Sequence, residues 1–394
     1  MNRTGERNNS LNGADNREDK MTYIGVDLHK DSMTIVCCDK QGEFIRKERI
    51  PCKCVGKIEE FFAQPQLHPC TVVVEAIGFY HWLFDLLEGK VEKLVLANPV
   101  ETRKYCWDQA KTDFRDARKL ALMLAGGEFE RNKSLSCFVP DKTLRTFREL
   151  TRYRHNLVDR HTSLANSAHR ILLKNNLAGP KNINGKSLES FLSRFGEKFS
   201  VYHKNFLMQI SENLFYNERQ IKQVEQEIQP FLHMDRFKQF YDILTSIPGI
   251  GDTVSASLIS EIGDFSRFDH PDKLASYAGL CPRVFASDKT VRYGKITKKG
   301  SVFIRKSLIN AAWVSIREDE KPRRIFNRVC KRAGRKKAVV AIARKLLVWI
   351  WYLVAEGEKW HAISTRPDSL TSNKSGVTLV RLLKHAPYRV NSQA

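Results

Sequence analysis

Acidic residues are scarce in this chain of 394 residues: 44 Asp and Glu stand against 66 Lys and Arg, a net charge of +22. An excess of that size argues against a small neutral partner. It points to a polyanion, either nucleic acid or an acidic membrane surface. Long apolar runs are also lacking. The most apolar stretch, residues 346–355, is about half of the ~20 residues that span a bilayer. Arg344 and Lys345 precede it, so it reads as a buried helix, and no membrane association is expected. The first 20 residues are polar and charged, without the apolar segment of a secretion signal. They read as a disordered leader. The nine cysteines are odd in number and follow no framework spacing, so disulfides are not expected and a cytoplasmic setting is. Cys52, Cys54, His68 and Cys70 fit no zinc-ligand pattern, and ordinary packing is their reading.

What is present is a foldable chain, 42% hydrophobic, with room for two or three domains. Its charge is unevenly placed: from Cys281 to Lys345 there are 20 Lys and Arg against 4 Asp and Glu. After the leader (1–20), three β-rich segments at 23–29, 33–39 and 44–50 follow closely. A short helix (57–64), a buried strand (71–75), a helix (79–89), a strand (93–97) and a helix (112–125) come next. Three adjacent strands followed by alternating helix and strand predict a mixed sheet with helices on its faces, the order of ribonuclease-H-like folds. This α/β domain is expected over 21–140.

A helical middle is expected over 141–235. Leu150, Leu157, Leu164 and Ile171 recur every seven residues, and Leu207, Ile210, Leu214, Ile221, Val224, Ile228 and Phe231 form a second seam. Two readings stand: an internal helical hairpin, or a dimerising coiled coil with Arg154 and His161 as polar seam residues. A mostly α C-terminal domain follows over 236–358, with short helices dominant, and a loosely ordered basic tail over 359–394.

Four carboxylates carry the first chemical signal. Asp27 lies mid-strand amid apolar neighbours, in Gly25-Val26-Asp27-Leu28, and Glu75 ends the apolar run Val72-Val73-Val74-Glu75. Asp113 and Asp116 stand three apart on one helix face. Singly each has a structural reading: a turn cap for Asp27, an arginine partner for Glu75, a helix cap for Asp113. Together they make a cradle of hard oxygen ligands for Mg²⁺ or Mn²⁺, suited to phosphodiester chemistry. Asp31 and Asp39 lie beside turns and are less favoured. A second signal is Pro248-Gly249-Ile250-Gly251 between two helices, a helix-hairpin-helix pattern in which Gly249 and Gly251 let backbone amides approach a DNA phosphate. A third is the cation-rich run holding Arg283, Lys289, Arg292, Lys295, Lys298 and Lys299, which could grip phosphates or form a solvated basic face. Ser287 lies within it and Ser301 and Ser307 follow it, and spacing alone does not choose among them.

These motifs together resemble the DEDD-type transposases of bacterial insertion sequences, the group that includes Piv-like invertases. The likeness runs over residues 22–356, through Lys111-Thr112-Asp113, Asp116-Ala117, Tyr277-Ala278-Gly279-Leu280 and Ile296-Thr297-Lys298-Lys299-Gly300. It implies a RuvC-like domain whose catalytic metal ligands fall on Asp27, Glu75, Asp113 and Asp116. It also implies a catalytic serine, which by position falls on Ser287, although Asp288 stands where the family usually has glycine. The same likeness implies a bacterial, nucleoid-associated recombinase that acts as a homo-oligomer (dimer or tetramer) on element and target DNA, guided by a non-coding RNA. Two rival functions are a metal-only nuclease resembling Holliday-junction resolvases and a non-catalytic nucleic-acid scaffold. A ribonuclease-H-like sugar kinase is disfavoured, because no phosphate-binding glycine loop accompanies the first strand.

Overall fold

A computed structural model describes residues 20–105, 112–287 and 290–361, with the backbone alone at 286, 287, 290, 291 and 293. The chain divides into two compact units, Met1–Val139 and Pro140–Ala394.

The first unit is built on five strands: β1 (Thr22–Leu28), β2 (Ser32–Cys38), β3 (Phe44–Pro51), β4 (Cys70–Glu75) and β5 (Lys93–Ala97). They lie in the order β3-β2-β1-β4-β5. β1 runs antiparallel to β2 and parallel to β4, giving the expected mixed sheet. Tight turns set the hairpins: the His29 amide donates to the Ser32 carbonyl, and Gly42 takes a positive φ of 83° between β2 and β3. The outer strand β3 carries Arg46, Lys47, Glu48 and Arg49, charges that protect an open edge.

Helices α1 (Val55–Phe62) and α2 (His81–Leu87) cover one face, where Ile58, Phe62, Leu83 and Leu87 bury Ile24, Val26 and Val72. Helix α3 (Asp113–Ala125) covers the other, packing Leu120 and Leu124 on Val73 and Val95. Cys70 is fully buried in the first of these cores, where loss of water pushes its thiol up to about 11. It packs as a small apolar side chain, as expected.

The second unit is helical. Helices α4 (Lys142–Lys174) and α6 (Val201–Leu232) pack along each other, with α5 (Gly185–Phe195) against α6. The polar seam residues find partners inside the chain: Arg154 pairs with Glu225 at 2.7 Å, and His161 with Glu218 at 3.0 Å. The internal hairpin therefore accounts for the heptad pattern. The core continues into α7 (Asp235–Thr245), α8 (Asp252–Ile262), α9 (Pro271–Tyr277), α10 (Val302–Glu318), α11 (Glu320–Ala333) and α12 (Arg335–Glu356).

Two expectations need correction. The last three helices are 17, 14 and 22 residues long, not short. A two-stranded antiparallel ribbon, β6 (Pro282–Ser287) and β7 (Thr290–Ile296), stands within a region expected to be α. Its period-two pattern is obscured by Arg283 on β6 and by Arg292 and Lys295 on β7. Helix α12 is long and apolar enough to cross a membrane by length and composition, but Trp349, Ile350, Trp351 and Leu353 are buried in the core of this unit.

A buried polar network ties α4 to α8 and α10. Thr151 and Ser260 share a hydrogen bond of 2.8 Å, and the His155 imidazole lies 2.6 Å from the Ser257 hydroxyl and 3.4 Å from that of Ser307. Burial first, then Lys306 and Arg154, push the His155 ring down to about 4. It is neutral at pH 7 and resists protonation in the folded state alone. Its contribution to stability is present above the ordinary histidine range near 6.5 and is lost as the pH falls through the window from about 6.5 to 4. In wild type, urea unfolding should show a loss of about 3 kcal/mol across that window from this group. His155→Gln should flatten that part of the profile; an unchanged slope would contradict it.

Candidate functional site

The acidic cradle forms where β1 meets the start of α3. Side chains alternate along β1, so Asp27 shares the α3 face with Gly25. Gly25 has no room for a side chain: a Cβ there would lie 2.0 Å from the Ala117 carbonyl oxygen and 2.6 Å from the Ala121 nitrogen. The helix backbone thus rests directly on the strand, and one turn earlier it delivers Asp113 and Asp116 above Asp27. Thr112 is the helix cap, its hydroxyl accepting from the Arg115 amide at 3.3 Å. Asp113 is therefore not needed as a cap. Both carboxylates stand in the first turn, where exposed amides favour negative charge.

Asp27 is 7% exposed. Its carboxyl is raised above the ordinary range, by burial first and then by the charges of Asp113 and Asp116, while His29 opposes the shift. The His29 Nε2 lies 3.0 Å from Asp27 and 3.5 Å from Asp113, and an Arg49 nitrogen lies 3.8 Å from Asp113. Ligand atoms of Asp27, His29 and Asp113 fall within 4.8 Å of one another, the only such grouping among the described residues. A buried carboxylate destabilised by two neighbours, with an imidazole at the rim, is a donor set that a divalent cation would relieve.

Glu75 ends β4. Val26 pairs with Val74, so its backbone stands in the row beside Asp27, but its carboxylate is outside that grouping. Among the described residues Glu75 has no ion-pair partner. His29 was missed from sequence. The available signal was its position two residues after Asp27 at the strand end.

The cation-rich segment is anchored firmly at its base. Gly279 and Gly300, both at positive φ, let the chains around Tyr277 and Lys299 touch: a Cβ on Gly300 would meet the Tyr277 carbonyl oxygen at 2.0 Å. The Lys298 amide donates to the Gly279 carbonyl, and Arg305 donates to the carbonyls of Ala278 and Gly300. Arg283, Arg292, Lys295, Lys298 and Lys299 are exposed, with no ion-pair partner among the described residues. Lys289 and Asp288 lie outside the described residues.

Of the three serines, Ser301 caps α10 and donates to the buried Glu261 carboxylate at 2.9 Å, while Ser307 is 3% exposed beside His155. The backbone of Ser287 pairs with Thr290 at the ribbon's outer end; its side chain lies outside what is described.

In the hairpin turn between α7 and α8, Gly249 takes φ 89° and faces the backbone of α10, where a Cβ would meet the Ala311 carbonyl oxygen at 2.6 Å. That glycine has a packing reason. Gly251 has open space around its Cβ position, and Glu318 stands on the wall of the same depression.

Two transposase family models match segments of this chain. Residues 24–176 match the DEDD transposase family of the IS110 type, and residues 241–327 match the transposase family IS116/IS110/IS902. Among curated relatives, the transposase for insertion sequence element IS1328 of Yersinia enterocolitica is 24% identical, covering 86% of this chain and 98% of its own. The transposase for IS1111A of Coxiella burnetii is 26% identical over 86% and 90%. A probable family 20 transposase of Pseudomonas aeruginosa is 24% identical over 85% and 97%. The acidic cradle of the sheet unit and the basic ribbon of the helical unit both fall in matched segments, and together these matches identify the chain as similar to the DEDD-type IS110 insertion-sequence transposases.

Proposed function

We propose that the chain recombines DNA through a composite site, in which the acidic cradle and the hydroxyl of Ser287 act on one scissile phosphate. The observation that carries this reading is the cradle: Asp27 is buried, its carboxyl raised, and Asp113 is held over it by the Gly25 contact. Asp27, Asp113 and His29 would hold the cation, and Asp116, in the same helical turn as Asp113, and Glu75, at the end of the strand beside β1, would complete the shell. A bound Mg²⁺ or Mn²⁺ supplies Lewis-acid polarisation of a phosphate oxygen.

Ser287 is favoured as nucleophile because Ser301 and Ser307 are engaged elsewhere. The hydroxyl gives up its proton as its oxygen bonds to phosphorus, the bond to a deoxyribose oxygen breaks, and that oxygen takes up a proton and leaves as a hydroxyl, so the exchange consumes no net proton. The phosphoserine linkage conserves the bond energy, so an exchanged strand end reseals by the reverse step. Arg283, Arg292, Lys295, Lys298 and Lys299 hold flanking phosphates, as would Lys289, and Gly251 leaves an amide-lined turn open for another. A guide RNA and a homo-oligomer belong to the same reading.

Trapping on nicked DNA tests it. Ser287→Ala should abolish covalent protein–DNA adducts while binding persists. Undiminished adducts would reject Ser287, and cleavage without adducts in wild type would favour the metal-only nuclease.

A further inference from the structure

The ribbon presents an aromatic ring to solvent amid unpaired cations. Phe285 is 60% exposed among the described residues, a large apolar surface. In the antiparallel register Phe285 stands opposite Arg292, so the two share a face of the ribbon, and Arg283 lies two residues before on the same strand. Arg283 and Arg292 are both exposed, without ion-pair partners among the described residues. Beneath the ring lies Gly294. A Cβ there would come within 3.0 Å of the Phe285 Cε2 and 3.5 Å of the Arg283 Cβ, so the bare backbone lets the ring lie close over β7. Phe285 is thus supported from below and open above, two residues before Ser287.

We propose that Phe285 is a base-stacking residue, receiving the face of an unstacked DNA base next to the phosphate that Ser287 addresses. The inference rests on the proposed DNA chemistry of this unit and adds to it a contact to a base. An exposed aromatic with one arginine opposite it and another two residues before it matches what a strand of unpaired DNA offers, a π-face flanked by phosphates. Strand exchange requires bases near the break to leave the duplex, and a ring placed there holds one out of the stack. Val284, 56% exposed, lies on the opposite face of the ribbon and does not share this role.

Binding separates this proposal from the chemistry. In a Ser287→Ala background, fluorescence anisotropy would follow a labelled duplex with a central unpaired thymine loop, and the same duplex fully paired. Phe285→Ala should weaken binding to the looped duplex by about 5- to 100-fold, the range for losing one stacked base, and leave the paired duplex within about twofold. Phe285→Trp should restore binding, with its fluorescence quenched by the loop; Phe285→Leu should not. Replacing the loop bases with abasic nucleotides should weaken wild type and leave Phe285→Ala unaffected. Equal losses on both duplexes, full rescue by leucine, or an effect confined to an RNA loop would overturn the proposal. A failed adduct assay with intact loop binding would instead count against Ser287 alone.

Discussion

Alanine at position 25 is expected to destabilise the N-terminal unit by about 3 kcal/mol and to slow strand cleavage by about 100-fold in the protein that remains folded. The added methyl would sit 2.0 Å from the Ala117 carbonyl oxygen. An ordinary carbon–oxygen contact is longer than that by roughly 1 Å, and the close-packed core offers no free space for the difference. The obstacle is helix backbone, so no side chain can swing aside. Helix α3 must lift from β1, carrying Asp113 and Asp116 away from Asp27. Urea unfolding with an unchanged m-value would report the stability loss. Gly56, in α1, has nothing within 4 Å of its Cβ position, and Gly56→Ala should leave both stability and activity essentially intact.

The second large effect concerns Asp27. Asn at this position should reduce cleavage by about 10³-fold, the several kcal/mol that metal polarisation supplies, yet should not destabilise the metal-free protein. The wild-type carboxyl is raised by burial and by Asp113 and Asp116. A folded-state value above the unfolded one gives stability that is full at low pH and lost as the pH rises through the raised value. In the absence of metal, Asp27→Asn should therefore be as stable as wild type or more so at pH 7, with the gap closing as the pH falls toward 4. Magnesium reverses the order. At 100 times its dissociation constant it should stabilise wild type by about 2.7 kcal/mol and the variant hardly at all. Thermal melts with and without magnesium measure both effects. An Asp27→Asn protein that is less stable without metal, or equally stabilised by it, would show that the cradle is structural.

Much of this was legible in the sequence, for a physical reason. Four of the five strands of the first unit are short, apolar and bounded by turns, and Lys93–Ala97 is the strand expected from those residues. Asp27 and Glu75 declared themselves as charges within or closing apolar runs, where burial makes a carboxylate costly without a purpose. His29 did not stand out, because a histidine after a strand carries no comparable penalty. Gly25 is needed for what crosses it, the α3 backbone, and only the tertiary packing of strand and helix reveals that contact. The ribbon escaped notice because strands exposed on both faces lose the alternation that marks a half-buried sheet. The heptad seams identified α4 and α6 but left their partner open, since an internal hairpin and a dimer bury the same stripe. Arg154 with Glu225 and His161 with Glu218 identify the internal pairing.

If cradle and serine act on the same phosphate, sulfur placed at that phosphate will expose the metal. A non-bridging oxygen at the scissile position would be replaced by sulfur, one diastereomer at a time, and adduct formation at Ser287 followed in magnesium and in manganese. One diastereomer should react much more slowly in magnesium and recover in the more thiophilic manganese, and Asp27→Asn should lose that recovery. Adducts that form at Ser287 with no sulfur effect in either diastereomer would place the cradle away from that phosphate and contradict the account.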